Sequence, residues 1–142
     1  MCIRDSTITG PEKVYEIITK ILEKEDIIDR EKEHVFVIGL DIRNRIKYIE
    51  LVSLGTLDTC LTHPREIFRY AITKGVAKII TVHNHPSGDP NPSKTDIIIS
   101  KMLRKAGKIL GIELLDDIII GDNSYFSFSS EDLLWKYLKK ES

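Results

Sequence analysis

Apolar residues recur along the first third of the chain at two spacings, one typical of helices and one typical of strands. The segment GPEKVYEIITKILEKE carries its apolar residues on one helical stripe, with Pro11 in the first turn, which predicts an amphipathic helix. The segment HVFVIGLD is short, apolar and rich in β-branched residues, which predicts a buried strand. After the polar turn IRNR, the segment IKYIELVSLG is the expected antiparallel partner of that strand.

The rest of the chain alternates helices and strands. Thr62 is predicted to cap a helix that has Pro64 in an early position and ends at Gly75. The strand AKIITVHNH follows, and Ser93 begins the long helix KTDIIISKMLRKAGKIL. Six residues of this long helix are expected to face the core: Ile98, Met102, Leu103, Ala106, Ile109 and Leu110. Two short strands, DIIIGD and SYFSF, and a final helix, SEDLLWKYLKK, complete the predicted elements.

The predicted order of elements is α, β, β, α, β, α, β, β, α. This order indicates an α/β or α+β fold in which helices cover a mixed sheet. No linker rich in Gly or Ser divides the 142 residues, and this length is sufficient for one buried core. We therefore expect a single domain over residues 9–142, preceded by a loose lead over residues 1–8.

Composition and charge disfavour several classes of protein. No apolar run approaches the roughly 20 residues that span a bilayer, and the opening MCIRDS lacks the apolar centre of a signal peptide, so neither a membrane partner nor a leader is expected. The formal net charge is −1, from 21 basic and 22 acidic residues. Nucleic-acid binding usually leaves a basic excess, so this domain alone is not expected to bind nucleic acid.

Cysteine usage bears on the compartment. The two cysteines, Cys2 and Cys60, lie far apart and form neither a disulfide framework nor a thiolate zinc motif. A reducing cytoplasm is therefore the expected location.

The segment TVHNHPSGDPNPSKTD, Thr81 to Asp96, carries the clearest chemistry. In a strand, alternate side chains share a face, so His83 and His85 point the same way. The turn-forming residues that follow end the strand, and SKTD matches a helix start with Ser93 as N-cap. Asp96 on the first helical turn then returns to the strand end. Two imidazoles and one carboxylate leave a fourth tetrahedral position free, which is typical of a catalytic zinc site.

Other interpretations of the same residues stay open at this point. An HxH pair alone is common by chance. Asp96 alone is typical of a helix start, where the helix dipole favours a carboxylate. Asp89 competes with Asp96 as the third ligand. The combination of a strand-end HxH, a tight turn and a helix-start carboxylate favours a metal site over these separate explanations.

The residues HNHPSGDPNPSKTD resemble the JAMM signature H-x-H-P-x(6)-S-x-x-D of JAB/MPN metalloproteases at every fixed position. The longer pattern formed by GTLDTCLTHPREIFRYAI, IITVHNHPSGDPNPS and LLDDIIIGD is similar to the RadC-type JAB domain. The similarity extends from about Thr9 to Ser130. It implies a three-layer α-β-α fold around a mixed sheet, similar to the cytidine-deaminase architecture. It also implies one zinc ion per chain, held by His83, His85 and Asp96.

The resemblance also implies an activity and catalytic roles. JAMM enzymes cleave an amide bond with a zinc-activated water, which makes this chain an expected metallopeptidase or isopeptidase that acts on a peptide or an isopeptide-linked protein. A glutamate near the entry to the first strand is the general acid/base, and Glu33 matches that place. Glu50 on the second strand is the alternative. The serine of the signature, Ser93, is expected to stabilise the oxyanion as well as to cap the helix.

Three further features of the resemblance concern residues outside the signature. His63, Arg65 and Glu66 in THPRE match a RadC-like block. Helix-start chemistry accounts for Glu66 but does not require His63 or Arg65, which either line the cleft and bind substrate or have a structural role, with Arg65 pairing a carboxylate. Many relatives have Asp-His before the IIIG strand, where this chain has Asp116 and Asp117. The helix-hairpin-helix module that usually precedes the RadC-type domain is not expected here, and with it goes the part most able to touch DNA.

Two alternative functions stand beside the hydrolase. One is a DNA-associated module, in keeping with the repair label of the family. The other is a catalytically silent JAB scaffold that binds a partner, against which the intact metal ligands argue. The sequence does not predict the substrate or the oligomeric state.

Overall fold

The computed structural model describes residues 3–26, 32–55 and 63–131. Eight elements lie within these ranges: α1 (Pro11–Glu23), β1 (Glu33–Leu40), β2 (Ile46–Gly55), α2 (Pro64–Lys74), β3 (Lys78–Asn84), α3 (Lys94–Leu110), β4 (Glu113–Gly121) and β5 (Ser124–Ser127). They occur in the predicted order. The predicted final helix lies, from residue 132 onward, outside the described residues.

The five strands form one mixed sheet in the order β2-β1-β3-β4-β5. Strands β3 and β4 are parallel, and the helix α3 connects them, as a parallel pair requires. The other neighbouring pairs are antiparallel, including the predicted pairing of β1 with β2. The expected mixed sheet is therefore confirmed.

Helices cover both faces of the sheet. On one face, α1 packs its buried residues Val14, Ile17 and Ile18 against apolar side chains of β1, β3 and β4. On the other face, α2 and α3 pack against a second cluster that includes Val37, Ile79 and apolar residues of β4. The domain thus has three layers, α1, sheet and α2 with α3, which confirms the predicted α-β-α arrangement and α+β class.

The long helix α3 faces the sheet with a different stripe from the one predicted. Its buried residues are Ser100, Leu103 and Gly107. Ile98 and Ile109, predicted to face the core, are 65% and 87% exposed, and Met102 and Leu110 are also exposed. Gly107 lets the chain fold back closely after the helix ends, because a Cβ there would meet the backbone of Ile112. The prediction is confirmed for Leu103, which is buried, and for Ala106, which packs against the core, and it is wrong for the other four residues.

The start of α2 also differs from the prediction. The N-cap is His63, whose ring Nδ1 accepts a hydrogen bond of 3.1 Å from the backbone N–H of Arg65. Thr62, the predicted cap, lies outside the described residues. The predicted end of the helix is confirmed, because Gly75 adopts the left-handed conformation with φ of 67°.

Residues 5–8 lie against the turn between β1 and β2, although the sequence predicts a loose lead over residues 1–8. Thr7 bridges Arg45, and the backbone N–H of Ile8 donates to Asn44 at 2.8 Å. Ile8 is buried in the α1 side of the core. Its apolar side chain accounts for the attachment.

Among the helices that the structure describes, none combines the length and apolar character needed to cross a membrane.

Candidate metal centre

The candidate centre lies where β3 ends and α3 begins. In sheets with parallel strands, sites form just outside the carboxyl ends of those strands. His83 is within β3 and His85 follows its last residue, and their side chains share a face. The backbone N–H of His85 donates to Ile120 of β4 at 2.9 Å, which keeps the strand end attached to the sheet beyond β3 itself.

A tight turn reverses the chain after His85. The N–H of Gly88 donates to the His85 carbonyl at 2.9 Å, and Gly88 has φ of 88°, a conformation that L side chains rarely adopt. The N–H of Asp122 donates to the Gly88 carbonyl at 2.8 Å, so the turn is attached to the β4–β5 hairpin. The predicted turn chemistry therefore positions the following segment over the strand end.

Asp96 is fixed by the predicted capping box. Ser93 Oγ accepts from the Asp96 N–H at 3.1 Å, and Asp96 Oδ2 accepts from the Ser93 N–H at 2.8 Å. Both halves of the box are present. The local helix-start chemistry thus orients the carboxylate before any tertiary contact does.

The three predicted ligands converge. Asp96 Oδ1 lies 3.3 Å from His83 Nε2, and Asp96 Oδ2 lies 3.1 Å from His85 Nε2. One ligand atom from each residue lies within 4.8 Å of the others. Ligand atoms about 2.0 Å from a tetrahedral zinc ion stand roughly 3.3 Å apart, so the donor set fits such an ion. The side chains are only 13–18% exposed.

Asp89, the competing third ligand, takes a different part in the site. Its carboxylate Oδ1 accepts from the Asn91 N–H at 3.0 Å, and it does not belong to the converging group. Its backbone carbonyl instead lies 2.8 Å from His85 Nδ1. That contact makes Nδ1 the protonated nitrogen of His85 and leaves Nε2 to face Asp96.

The charges of the group reinforce one another. Burial tends to raise the pKa of Asp96, but the His83 and His85 rings and the Ser93 N–H outweigh it and hold the pKa far below its usual range. The hydrogen bond to Asp96 raises the pKa of His85, against the opposing effect of burial. The site therefore holds an ionised carboxylate, and a bound cation would compete with the proton that this carboxylate favours on His85.

Glu33 lies on the same face of the sheet. Val35 of β1 pairs with His83 of β3 in antiparallel register, so one further alternation places Glu33 opposite His85. Burial raises the pKa of Glu33, the two histidines act against this rise, and the charge of Asp96 adds to it. The structure thus brings the predicted acid/base candidate to the three ligands.

Glu50, the alternative acid/base, lies elsewhere. It stands on β2 opposite Val37. Burial raises its pKa, and the charges that act on it belong to Arg69 and Glu66 of α2 rather than to the converging group. The geometry therefore favours Glu33 as the carboxylate of the site.

Asn84, between the two histidines, points to the opposite face and clamps the backbone around Glu33. Its Oδ1 accepts from the backbone N–H of His34, and its Nδ2 donates to the carbonyl of Lys32 at 3.1 Å. Asn84 is buried. One amide thus bonds to both neighbours of Glu33. This role was not predicted from the sequence, although an amide in an otherwise apolar strand indicates a buried polar contact.

The residues of the THPRE block have local partners. His63 is the cap of α2. Arg65 Nε lies 3.6 Å from Glu66 Oε1, and Arg69 lies 3.5 Å from the other oxygen of Glu66. The interpretation that Arg65 pairs a carboxylate agrees with these contacts.

Asp117 lies beneath His83, which the sequence did not predict. Its Oδ1 is 4.0 Å from His83 Nδ1, and the residue is buried. Burial raises the pKa of Asp117, while His83 and the Ser100 and Thr81 hydroxyls act against that rise. Both hydroxyls are buried beside the carboxylate, and neither forms a hydrogen bond of standard geometry within the described residues.

Comparison with known proteins places the chain in a family. A model of the RadC-like JAB domain matches residues 8–133. The UPF0758 protein of Desulforamulus reducens is 47% identical over 113 residues, which cover 80% of this chain and 50% of that protein. The UPF0758 protein of Chlorobaculum tepidum is 46% identical over 127 residues, which cover 89% of this chain and 55% of that protein. A UPF0758 protein of Methanosarcina mazei is 42% identical over 124 residues, which cover 87% of this chain and 52% of that protein.

The chain spans about half the length of these relatives. The matched residues nevertheless include every helix and strand that the structure describes, together with the three converging ligands. The predicted resemblance to the RadC-type JAB domain is confirmed. The chain therefore belongs to the family of RadC-like JAB domains.

Proposed function

We propose that the chain is a zinc-dependent hydrolase of the JAMM type that cleaves an amide bond in a peptide or an isopeptide-linked protein. The observation that carries the proposal is the convergence of His83, His85 and Asp96 with Glu33 on the same face beside them. Structural zinc sites use four protein ligands, whereas catalytic sites use three and leave one position for water or substrate. Among the described residues, the group contains three.

His83, His85 and Asp96 would hold the ion, through nitrogen and oxygen atoms that suit zinc. Bound by these residues, zinc would supply a water with a pKa near 7 and a Lewis acid for a scissile carbonyl. Glu33 accepts the proton of the attacking water and delivers it to the departing amine. Its half-buried position keeps its pKa raised, which suits a group that must both take and give a proton.

Ser93 supports the same chemistry from the helix start. Its Oγ accepts the cap bond from Asp96, and the hydroxyl proton is still able to donate. A donor aimed at the oxygen of the scissile carbonyl stabilises the charge that develops there. The hydroxyl thus serves the cap and the oxyanion at once.

The metal part of the proposal is tested by the metal content of protein purified without chelators. We expect about one zinc ion per chain, or the recovery of one ion on titration. His83→Ala should bind markedly less. A wild-type chain that holds no zinc and takes up none would contradict the proposal.

The catalytic part is tested with a panel of linear peptides and isopeptide-linked substrates. Glu33→Gln should lower turnover by at least about 100-fold, because it removes the proton carrier. Glu50→Gln is the matched control, since it changes another half-buried carboxyl that faces α2 instead, and it should keep a rate near that of the wild type.

Two outcomes would contradict the assignment. Equal turnover in wild type and Glu33→Gln would remove Glu33 from the mechanism. Zinc-loaded wild-type protein without turnover on any amide in the panel would point to a silent JAB scaffold.

A further inference from the structure

The two imidazoles of the candidate centre are arranged alike. Each presents Nε2 to Asp96, at 3.3 Å for His83 and 3.1 Å for His85. For His85, the opposite nitrogen Nδ1 has an oxygen acceptor, the carbonyl of Asp89 at 2.8 Å. For His83, the oxygen that faces Nδ1 is Oδ1 of Asp117, at 4.0 Å.

The strand register places Asp117 at this point. In the parallel pair of β3 and β4, Thr81 pairs with Asp117 and His83 with Ile119. The carboxylate of Asp117 is 5% exposed and lies between β3 and α3. Its Oδ1 has no hydrogen-bond partner among the described residues, and the same is true of the buried hydroxyls of Thr81 and Ser100.

The Asp117 carboxylate is held less completely than its neighbour. The oxygens of the neighbouring Asp116 accept from the Ser127 hydroxyl at 2.6 Å and from the Ser129 N–H at 3.0 Å. Asp117 Oδ1 accepts no such bond within the described part of the chain. A buried polar atom without a partner costs about 1–3 kcal/mol, so its presence points to a function.

We propose that Asp117 is a positioning residue for His83: it accepts a hydrogen bond from Nδ1–H and thereby keeps Nε2 free to bind the metal ion. The inference rests on the metal-binding part of the proposed function. The present separation is about 1 Å longer than a hydrogen bond, a distance that a small rotation of the ring or the carboxyl closes. Metal-binding histidines commonly donate their other nitrogen to a carboxylate or carbonyl in this way. Here a carbonyl, that of Asp89, faces His85, and a carboxylate, that of Asp117, faces His83.

The test measures zinc affinity by competition with a chromophoric chelator. Asp117→Leu, which is close in shape but accepts no hydrogen bond, should weaken zinc binding 10–100-fold. Asp117→Asn keeps an oxygen acceptor without the charge and should show a smaller loss. Asp116→Asn is the matched control, because it alters the adjacent buried carboxyl that bonds to Ser127 instead, and its affinity should equal that of the wild type.

Two further measurements separate positioning from folding. The melting temperature of metal-free Asp117→Leu should be no lower than that of the wild type, since an apolar side chain replaces an unpaired buried carboxyl. In zinc-loaded wild type, imidazole nitrogen NMR should place the remaining proton of His83 on Nδ1. The resonance of that proton should move in Asp117→Asn.

Each outcome decides the inference. Wild-type affinity in a folded Asp117→Leu variant would overturn it. If the leucine variant does not fold, an unchanged Nδ1 proton resonance in Asp117→Asn would overturn it instead. Failure of the wild type to bind zinc at all would overturn both this inference and the proposed function, whereas equal affinities in wild type and variants would overturn this inference alone.

Discussion

At the scale of single residues, the centre depends on atoms that serve two purposes. Asp96 Oδ2 accepts from the Ser93 N–H at 2.8 Å and lies 3.1 Å from His85 Nε2, so the same oxygen completes the helix cap and faces the candidate metal position. Ser93 combines its cap bond with a hydroxyl proton that is able to donate. Cap and site are therefore not independent, and substitutions have to be chosen to separate them.

Ser93 offers such a separation. Ser93→Ala should lower the free energy of unfolding by about 1 kcal/mol, because it removes the cap acceptor. It should also lower turnover by about 100-fold or more, because it removes the oxyanion donor. Ser93→Asp keeps a good cap acceptor but lacks the hydroxyl proton, so it should retain stability and still lose turnover at equal zinc content. Wild-type turnover in Ser93→Asp would refute the catalytic role.

Asn84 is the second residue to test. Asn84→Ala leaves the His34 N–H and the Lys32 carbonyl without their amide partner. We expect the free energy of unfolding to fall by about 1–3 kcal/mol, since the His34 N–H is buried and the bond to the Lys32 carbonyl is partly buried. Turnover should fall as well, because Glu33 loses its backbone clamp, while zinc affinity stays near the wild-type value. A parallel loss of zinc affinity would show that the clamp serves the ligands rather than Glu33.

At the scale of elements, the turn between β3 and α3 decides whether three ligands meet. Gly88 keeps φ of 88°, and a Cβ on it would collide with the carboxylate of Asp122. The turn also carries the Asp89 carbonyl that faces His85 Nδ1. Its conformation is thus part of the candidate metal centre.

Gly88→Ala tests this dependence. We expect a loss of about 1–3 kcal/mol in the free energy of unfolding, from backbone strain, together with weaker zinc binding. Gly75→Ala is the control, because Gly75 also has a positive φ but has open space around it at the end of α2. It should lose stability and keep its zinc affinity. Unchanged zinc affinity in Gly88→Ala would mean that the turn does not hold the ligands.

The buried face of α3 does not coincide with its most apolar positions. Its sheet-facing positions recur at helical spacing from Asp96 through Ser100 and Leu103 to Gly107, and only one of the four is a large apolar residue. Ile98 and Ile109 carry the apolar signal but point to solvent. Small and polar residues occupy most of the buried positions of this helix. The spacing of apolar residues therefore does not identify its buried face.

At the scale of the whole molecule, the centre links three elements of the fold. The ligands come from the end of β3 and the start of α3, and Glu33 comes from the start of β1. A metal ion that binds the folded chain should therefore stabilise the entire domain. The chain matches about half the length of each relative. The activity of a whole protein of that length is therefore proposed rather than shown.

Zinc should raise the melting temperature. A free zinc concentration 100 times the dissociation constant adds about 2.7 kcal/mol. For a domain of this size, each kcal/mol corresponds to roughly 2–4 °C, so differential scanning calorimetry should show a rise of several degrees. The melting temperature of His83→Ala should rise little when zinc is added. An equal rise in that variant would indicate that zinc binds elsewhere.

The sequence by itself determined the order of the elements, the mixed sheet covered by helices and the candidate ligands His83, His85 and Asp96. Those features depend on local patterns: alternation in a strand, turn formers and a helix-start motif. They are readable because each is encoded within a short stretch of chain.

Only the tertiary structure decided which residues meet across the sheet. It placed Glu33 rather than Glu50 beside the ligands, turned Asn84 toward the backbone around Glu33, and set Asp117 beneath His83. Strand register and helix packing fix these contacts between residues far apart in sequence. No local pattern contains that information, because a shift of one residue would turn every side chain to the opposite face.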